Sequence, residues 1–350
     1  MSLTTSHNDT PTTAFTESQW PAHFCKVTDE FGALRSTCGV YELPQRVKIR
    51  LTGSDRVRWL NGMVTNNIRD LAQNHGVYAF LLNPQCHILG DLVAFQRGES
   101  LLAETDRAQL AKILATFDHY IIMDDVEVAD ACESLASIGV TGPKSVEVLA
   151  TAGIQLSPMQ PLAVADLSWR DIPVSVVRGG DDAFPSYEIW IAPEPIASLR
   201  DALQSAGATL VGQDALELYR VAMGVPRYGQ DIRERDLPQE TEQQHALNFS
   251  KGCYVGQEIV ERIRSRGNVH RKFTGFKIDG APPAVDTKLQ SQGKDVGEIT
   301  SSAVIPGPGG EQAVALGYLR RELAGPGKEL EAAGSRVTVS ELPFRELLKK

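Results

Sequence analysis

Residues 251–258 read Lys-Gly-Cys-Tyr-Val-Gly-Gln-Glu, and this octamer separates two differently patterned parts of the chain. Its cysteine, Cys253, follows Lys251 and Gly252 and precedes Gly256, just before apolar residues at helical spacing. A thiol gains thiolate character beside a cation or at a helix N-terminus, and glycine lets a ligand approach the backbone. The pattern therefore predicts a functional Cys253, with a buried structural cysteine in a turn as the alternative.

The two parts of the chain differ in their hydrophobic periodicity. Before the octamer, strand-like and helical segments alternate; the clearest are a strand at 47–51, paired strands at 76–82 and 88–96, and a helix at 106–120 capped by Asp106. After Arg271, short strand-like runs are separated by Gly/Pro turns, which is typical of a small all-β barrel or sandwich. We therefore predict an α+β fold whose body of strand–helix units is followed by a C-terminal small β-barrel. The predicted divisions are a disordered N-terminal tail (1–22), the body (23–245), a cysteine-motif segment and joint (246–270) and the barrel (271–350).

The composition limits the class of protein. The cysteines, at 25, 38, 86, 132 and 253, show no Cys-x-x-Cys and no close pairing, which argues against a disulfide framework or a zinc site and suits a reducing compartment. Residues 1–20 lack Lys, Arg and an apolar stretch, so they resemble neither a signal nor a transit peptide. No run approaches the length needed to span a bilayer. We therefore predict a cytoplasmic protein that makes no membrane contact and holds no metal.

One segment reverses the acidic balance of the chain, whose formal net charge is −9. Residues 250–272 contain two acids and six basic residues, which are Lys251, Arg262, Arg264, Arg266, Arg271 and Lys272. A basic island in an acidic protein indicates an anionic partner, and a solvated helix face is the alternative.

The octamer resembles the signature of the YgfZ family, Lys-Gly-Cys-Tyr-x-Gly-Gln-Glu, and matches it at every fixed position. That family is related to the glycine-cleavage T protein, an aminomethyltransferase. The stretch that runs from Leu216 through Arg220 to Gly224 and Tyr228 resembles a second superfamily segment, and Ser186-Tyr-Glu188 resembles a third. The resemblance implies an aminomethyltransferase-like, folate-binding body and a cofactor that is tetrahydrofolate or a one-carbon derivative of it.

The resemblance also assigns roles to individual residues. It makes Cys253 the key functional group, with Lys251 holding its thiolate or an anionic partner, and the remaining octamer residues would shape the loop: Gly252, Tyr254, Gly256, Gln257 and Glu258. In the body, Glu188 would pair with the aminopyrimidinone edge of the pterin, because a carboxylate matches adjacent donors. Arg220 or Arg227 would meet the anionic glutamate tail.

The sequence departs from the superfamily at an acidic pair. Aminomethyltransferases carry Gly-x-x-Asp-Asp-Leu, and a carboxylate there helps to activate the folate amine. In this chain Gly90 replaces one member, so only Asp91 remains. One-carbon transfer needs a positioned acid or base near the reacting nitrogen. The loss therefore disfavours glycine cleavage and favours the YgfZ branch.

Three functional hypotheses follow. The first is a tetrahydrofolate-binding accessory protein that supports assembly or repair of iron–sulfur clusters in transient client enzymes, including enzymes that modify tRNA, through the Cys253 thiol. One cysteine cannot supply the usual four ligands of a cluster, so any cluster would be shared. The second is a folate-dependent one-carbon transferase or demethylase that uses Asp91. The third is a tRNA-binding factor that uses the basic island, with affinity that falls steeply with salt.

Overall fold

The computed structural model describes residues 20–180, 185–267 and 269–349. The predicted disordered tail (1–22) lies outside the described residues except at its end. There Trp20 is buried, and its Nε1 donates a hydrogen bond to the carbonyl of Val211 at 2.8 Å. Among the described residues, no helix is long and apolar enough to cross a membrane.

Helices and strands alternate through the first two thirds of the chain. The helices are α1 (Val27–Ser36), α2 (Arg56–Met63), α3 (Arg107–Tyr120), α4 (Ser145–Thr151), α5 (Ile196–Ser205), α6 (Gln213–Met223), α7 (Gln257–Arg266) and α8 (Arg345–Leu348), with 3₁₀ turns at Pro238–Thr241, Gln244–Ala246 and Arg321–Leu323. The strands are β1 (Gly39–Glu42), β2 (Arg46–Thr52), β3 (Gly76–Leu82), β4 (Ile88–Arg97), β5 (Ser100–Asp106), β6 (Glu127–Asp130), β7 (Ala136–Thr141), β8 (Val164–Trp169), β9 (Ile172–Arg178), β10 (Ser186–Ile191), β11 (Thr209–Leu210), β12 (Arg271–Asp279), β13 (Lys288–Ser291), β14 (Lys294–Gly307), β15 (Gly310–Arg320), β16 (Glu329–Ala332) and β17 (Ser335–Ser340).

Local sequence explains several element boundaries. The side chain of Asp106 accepts a hydrogen bond from the backbone N–H of Ala108, and so caps α3 as predicted. Gly224 ends α6 with φ of 70°, a left-handed conformation that glycine adopts without strain. The predicted strands at 47–51, 76–82 and 88–96 are confirmed as β2, β3 and β4.

Two sheets form the body. The first has five strands in the order β3-β4-β5-β2-β6 and packs against α2 and α3; the second has six in the order β11-β1-β7-β10-β9-β8 and packs against α4 and α5. Phe95 of β4 meets Trp190 of β10 edge to face at 5.0 Å, inside a buried cluster drawn from both sheets. The Arg97 guanidinium of the first sheet also forms an ion pair with Asp166 of the second. The two sheets are thus held by aromatic packing and by charge.

The C-terminal region is a closed barrel of six strands in the order β12-β15-β14-β13-β16-β17. The predicted α+β body with a small C-terminal barrel is therefore confirmed. Strands β13 and β16 are short and mainly polar, and alternation over four residues is a weak signal in a sequence. Helices α1 and α6 cover the barrel through a shared apolar core that includes Phe31, Val221, Ile305 and Phe344.

The aromatic contact between the sheets gives a test of this architecture. We expect Phe95→Ala to lower the free energy of unfolding by about 3–5 kcal/mol, because it removes a fully buried ring and leaves a cavity. Phe24, which is 41% exposed, supplies the matched control, and Phe24→Ala should change stability by less than about 1 kcal/mol. Urea titration followed by circular dichroism measures both. Equal losses in the two variants would contradict the proposed inter-sheet core.

Candidate functional site

The octamer runs along the C-terminal end of α2. The Lys251 ammonium donates hydrogen bonds to the carbonyls of Asn61, Val64 and Asn66 at 2.5–2.7 Å. The backbone N–H of Val255 donates to the carbonyl of Gly62 at 3.1 Å. The last carbonyls of a helix have no partner within the helix, and a cation there also complements the helix dipole. The octamer therefore supplies the C-terminal cap of α2.

This capping role differs from the predicted contact between Lys251 and the Cys253 thiolate. Lys251 is buried, its ammonium lies 4.9 Å from the centre of the Tyr254 ring, and no hydrogen bond or ion pair joins it to Cys253 in the described part of the chain. Burial lowers the pKa of Lys251 to about 7, whereas the three carbonyl dipoles favour the charged form. The lysine is an internal anchor rather than an activator of the thiol.

The cysteine itself faces outward. Cys253 is exposed, whereas its neighbour Tyr254 is buried in an apolar cluster with Phe80 and Cys86. Side chains on either side of Cys253 thus point into the protein and fix the backbone that carries the thiol. Cys253 is presented at the surface, where a macromolecular partner can reach it.

Gly256 and Gln257 shape the turn that follows. Gly256 has φ of 83°, and a Cβ at this position would lie 2.7 Å from the carbonyl oxygen of Asn83. Gln257 accepts a hydrogen bond from the backbone N–H of Tyr254 at 3.3 Å. In contrast, Gly252 has open space around it, and Glu258 is exposed and paired with Arg262. The loop-shaping role predicted for the octamer thus falls mainly on residues 251 and 254–257.

Glu188 lies between the two sheets. Its Oε1 accepts hydrogen bonds from the Lys48 ammonium (2.9 Å), the Ser137 hydroxyl (2.6 Å) and the Trp190 indole N–H (2.8 Å). Burial and the nearby Glu104 carboxylate raise the pKa of Glu188. The side chain keeps 18% of its surface exposed, so Glu188 is not sealed off from solvent.

The cations around Glu188 come from β2. Lys48 contacts both Glu188 and Glu104 at 2.9 Å, and Arg46 contacts Glu104 at 2.8 Å. Burial opposes the charged state of Glu104, but Arg46 and Lys48 outweigh it and hold the pKa of this carboxyl well below its usual range. Lys48 and Glu104 were not predicted as site residues. Strand alternation placed Lys48 on the opposite face from Val47 and Ile49, which normally means solvent.

Asp91 is held in a hydrogen-bond network of its own sheet. Its two carboxylate oxygens accept from the Tyr78 hydroxyl and the Gln109 amide, both at 2.7 Å. Gln109 also accepts from the Asp91 backbone N–H at 2.9 Å. Tyr78 packs on His245, with ring centres 5.3 Å apart, so this network lies next to the segment that leads into the octamer.

The two arginines predicted to bind the folate tail, Arg220 and Arg227, differ in how many protein partners hold their side chains. The Arg220 guanidinium binds Glu217, Asp231, the Ser301 hydroxyl and the Val225 carbonyl at 2.6–2.9 Å, and so joins α6 to barrel strand β14. Arg227 is half exposed and has one ion pair, with Glu217 at 2.5 Å. Of the two, only Arg227 can turn toward a ligand without opening the joint between body and barrel.

Most of the basic island is paired within the chain. Arg262 pairs with Glu258, Arg264 with Glu261, Arg271 with Asp236 and Glu240, and Lys272 with Glu242. The side chain of Arg266 lies outside the described residues. The island is therefore largely neutralised by neighbouring acids.

Two features of the described residues bear on ligands. No group of three or more His, Cys, Asp or Glu side chains that could hold a metal ion occurs among them. A cavity of about 660 Å³ opens at the edge of the barrel, lined by Arg235, Arg271, Lys288, Glu298, Tyr318 and Arg320 among others. Glu188, Asp91 and Cys253 do not line it.

Comparisons with known proteins agree with this architecture. Residues 6–251 match the family described as the GCVT N-terminal domain. The chain is 27% identical over 329 residues to an aminomethyltransferase of Rippkaea orientalis, covering 91% of this chain and 88% of that protein. It is 25% identical to an aminomethyltransferase of Thermus thermophilus, covering 93% and 92%. The crystal structure of glycine cleavage system aminomethyltransferase T from Bartonella henselae superposes with a TM-score of 0.82 at 21% identity, covering 92% of this chain and 90% of that one.

The turn at Gly256 can be tested directly. We expect Gly256→Ala to lower the free energy of unfolding by about 2 kcal/mol, because alanine is strained at positive φ and its Cβ would meet the Asn83 carbonyl. Gly252→Ala, at a position with open space, is the matched control and should change stability by less than about 0.5 kcal/mol. Thermal unfolding of the two variants makes the comparison, and equal stability would show that the turn is not under this constraint.

Proposed function

This chain belongs to the GCVT family, and we propose that it is a tetrahydrofolate-binding accessory protein of the YgfZ type. In this proposal it supports assembly or repair of iron–sulfur clusters in selected enzymes, including those that modify tRNA, and works in the cytoplasm. The observation that carries the proposal is the exposed Cys253 thiol, held by an octamer whose Lys251 and Tyr254 are anchored inside the protein.

The folate site proposed for this chain centres on Glu188. A pterin presents adjacent N–H donors, which a carboxylate binds well. The three protein donors at Glu188 all act on Oε1, and Glu188 also shares a side-chain hydrogen bond with Glu104. A carboxylate offers about four acceptor positions on its two oxygens, so an ionised Glu188 would accept a ligand N–H on Oε2. Arg227 would meet the anionic tail, since Arg220 is enclosed by other acceptors. Tetrahydrofolate would supply one-carbon chemistry or act as a regulator.

The proposed chemistry of Cys253 is that of a single thiolate ligand. One thiol cannot hold a cluster alone, so any cluster is shared with a client enzyme during a transient contact. The exposed position of Cys253 suits such a contact. A thiol beside bound folate would instead react with a one-carbon unit. Because the basic island is mostly paired with acids, we propose client proteins rather than tRNA as the direct partners.

A second candidate is a folate-dependent one-carbon transferase or demethylase. It is favoured by the relatives, which are named aminomethyltransferases and align with most of this chain. The site argues the other way. Both oxygens of Asp91 already accept hydrogen bonds, and a Cβ at position 90, where the second acid would stand, would lie 3.0 Å from the Gln109 amide oxygen. Asp91 keeps a free lone pair on each oxygen, but it would have to do this chemistry without a second acid beside it.

Calorimetric titration with tetrahydrofolate tests the cofactor. We expect the wild type to bind it and Glu188→Gln to bind about tenfold or more weakly, since the variant loses a charge-assisted acceptor. Glu329→Gln, at an exposed barrel position, should bind as the wild type does. If Glu188→Gln keeps wild-type affinity, the pterin role of Glu188 is wrong.

Methylthiolation of tRNA in a strain that lacks this gene tests the thiol. We expect the wild type, Asp91→Asn and Cys25→Ser to restore the modification and Cys253→Ser to fail, because only the last removes the proposed ligand. Cys25 is also exposed, which makes it a matched control for loss of a surface thiol. Full rescue by Cys253→Ser together with failure of Asp91→Asn would favour the transferase instead.

A further inference from the structure

Lys48 is a fully buried ammonium group on β2, between the two sheets of the body. Its Nζ contacts Glu104 and Glu188 at 2.9 Å and donates a further hydrogen bond to the Ser137 hydroxyl. A lysine is almost never fully buried unless it is paired. These three partners therefore account for the position of Lys48, and they tie it to both sheets.

The partners of Lys48 come from different elements. Glu104 lies directly opposite Lys48 in the antiparallel pair of β2 with β5. Glu188 belongs to β10 in the second sheet, and Ser137 to its neighbour β7. Lys48 is thus the contact through which the first sheet fixes the carboxyl group of the second.

The hydrogen bonds that Glu188 accepts from Lys48, Ser137 and Trp190 all end on one oxygen, Oε1. Glu188 also shares a side-chain hydrogen bond with Glu104, which raises the pKa of Glu188. Lys48 therefore holds the orientation of Glu188 through Oε1, while Glu104 favours its protonated form.

We propose that Lys48 is the positioning residue of the ligand site: it holds Oε1 of Glu188 and so fixes the orientation in which this carboxyl group would accept a hydrogen bond from a pterin. This inference rests on the proposed folate function, and it adds a residue from the opposite sheet to that site. Lys48 acts through Glu188 and need not touch the ligand.

The charges around Glu188 explain why a clamp is required. Glu104 of β5 faces Glu188 and disfavours its ionised form, while Lys48 and Arg46 of β2 favour it. Tyr41 of β1 also faces Glu188, and burial raises the pKa of Tyr41 to about 12, so it stays neutral near pH 7. Without Lys48, Glu188 would retain its proton to higher pH and would share that proton with Glu104.

Calorimetric titration of Lys48→Met with tetrahydrofolate at several pH values tests this inference. We expect affinity about tenfold or more below that of the wild type near pH 7, with part of the loss recovered as the pH rises and Glu188 ionises. Glu188→Gln should bind weakly at every pH, and Lys48→Met added to Glu188→Gln should weaken binding no further. If the role of Lys48 is purely structural, Lys48→Met should lower the affinity for tetrahydrofolate equally at every pH. Its loss of affinity should then add to that caused by Glu188→Gln.

Lys48→Met leaves two buried carboxyl groups without their cation, which can prevent folding. The second variant, Lys48→Met with Glu104→Gln, removes the repulsion and should fold, yet still bind tetrahydrofolate more weakly than Glu104→Gln alone. Equal affinity of these two variants would overturn the inference.

The ligand-free protein separates this inference from the proposed function. Carbon-13 NMR of glutamate carboxyl groups, with Glu188 assigned from Glu188→Gln, should show a higher pKa of Glu188 in Lys48→Met than in the wild type. If the wild type binds no tetrahydrofolate but this shift occurs, the folate function fails while Lys48 still controls Glu188. An unchanged titration of Glu188 in Lys48→Met would refute the role of Lys48.

Discussion

The body of this protein depends on a buried ion cluster between its two sheets. Removing a charge from water is unfavourable by several kcal/mol, and only close partners of opposite charge offset that loss. Arg46 and Lys48 on one side and Glu104 and Glu188 on the other meet this requirement together. Because Lys48 pairs with Glu104 in its own sheet and with Glu188 in the other, the cluster ties the two sheets together. The site proposed for the ligand is thus also a contact that aligns the two sheets.

Lys251 carries a second buried ammonium group, and its loss of hydration is also offset by close partners, although these are of a different kind. Its charge is solvated by three backbone carbonyls at the end of α2 rather than by carboxylates. The residues of the octamer therefore differ in role according to whether they point into the protein or toward solvent. Lys251 and Tyr254 point inward and anchor the segment, Gly256 makes the turn, and Cys253 is left at the surface. The chemistry proposed for the thiol would therefore rest on its accessibility and on a fixed backbone, since Lys251 makes its contacts elsewhere.

The sequence predicts what is encoded locally. The alternation of residues 47–51 and the cap at Asp106 are properties of a few neighbouring residues, and both appear as predicted. The burial of Lys48 is not encoded in this way, since it results from a second sheet formed by residues far along the chain. The acceptors of Lys251 are equally remote. The resemblance marks Lys251 as important but does not show that its side chain points into the protein.

The charge of the basic island also differs between the local sequence and the folded structure, and this difference bears on its partner. A count of charges along residues 250–272 suggests a positive surface, but acids supplied from other segments, among them Asp236, Glu240 and Glu242, neutralise it in three dimensions. Binding to nucleic acid draws much of its affinity from unpaired cations that displace counterions. Four of the six cations are already paired with acids: Arg262, Arg264, Arg271 and Lys272. A surface that offers a fixed thiol and few free charges is better suited to a protein that brings its own ligands. Recognition would then depend on shape and on the thiol, which is the chemistry expected of transient contact with a client enzyme.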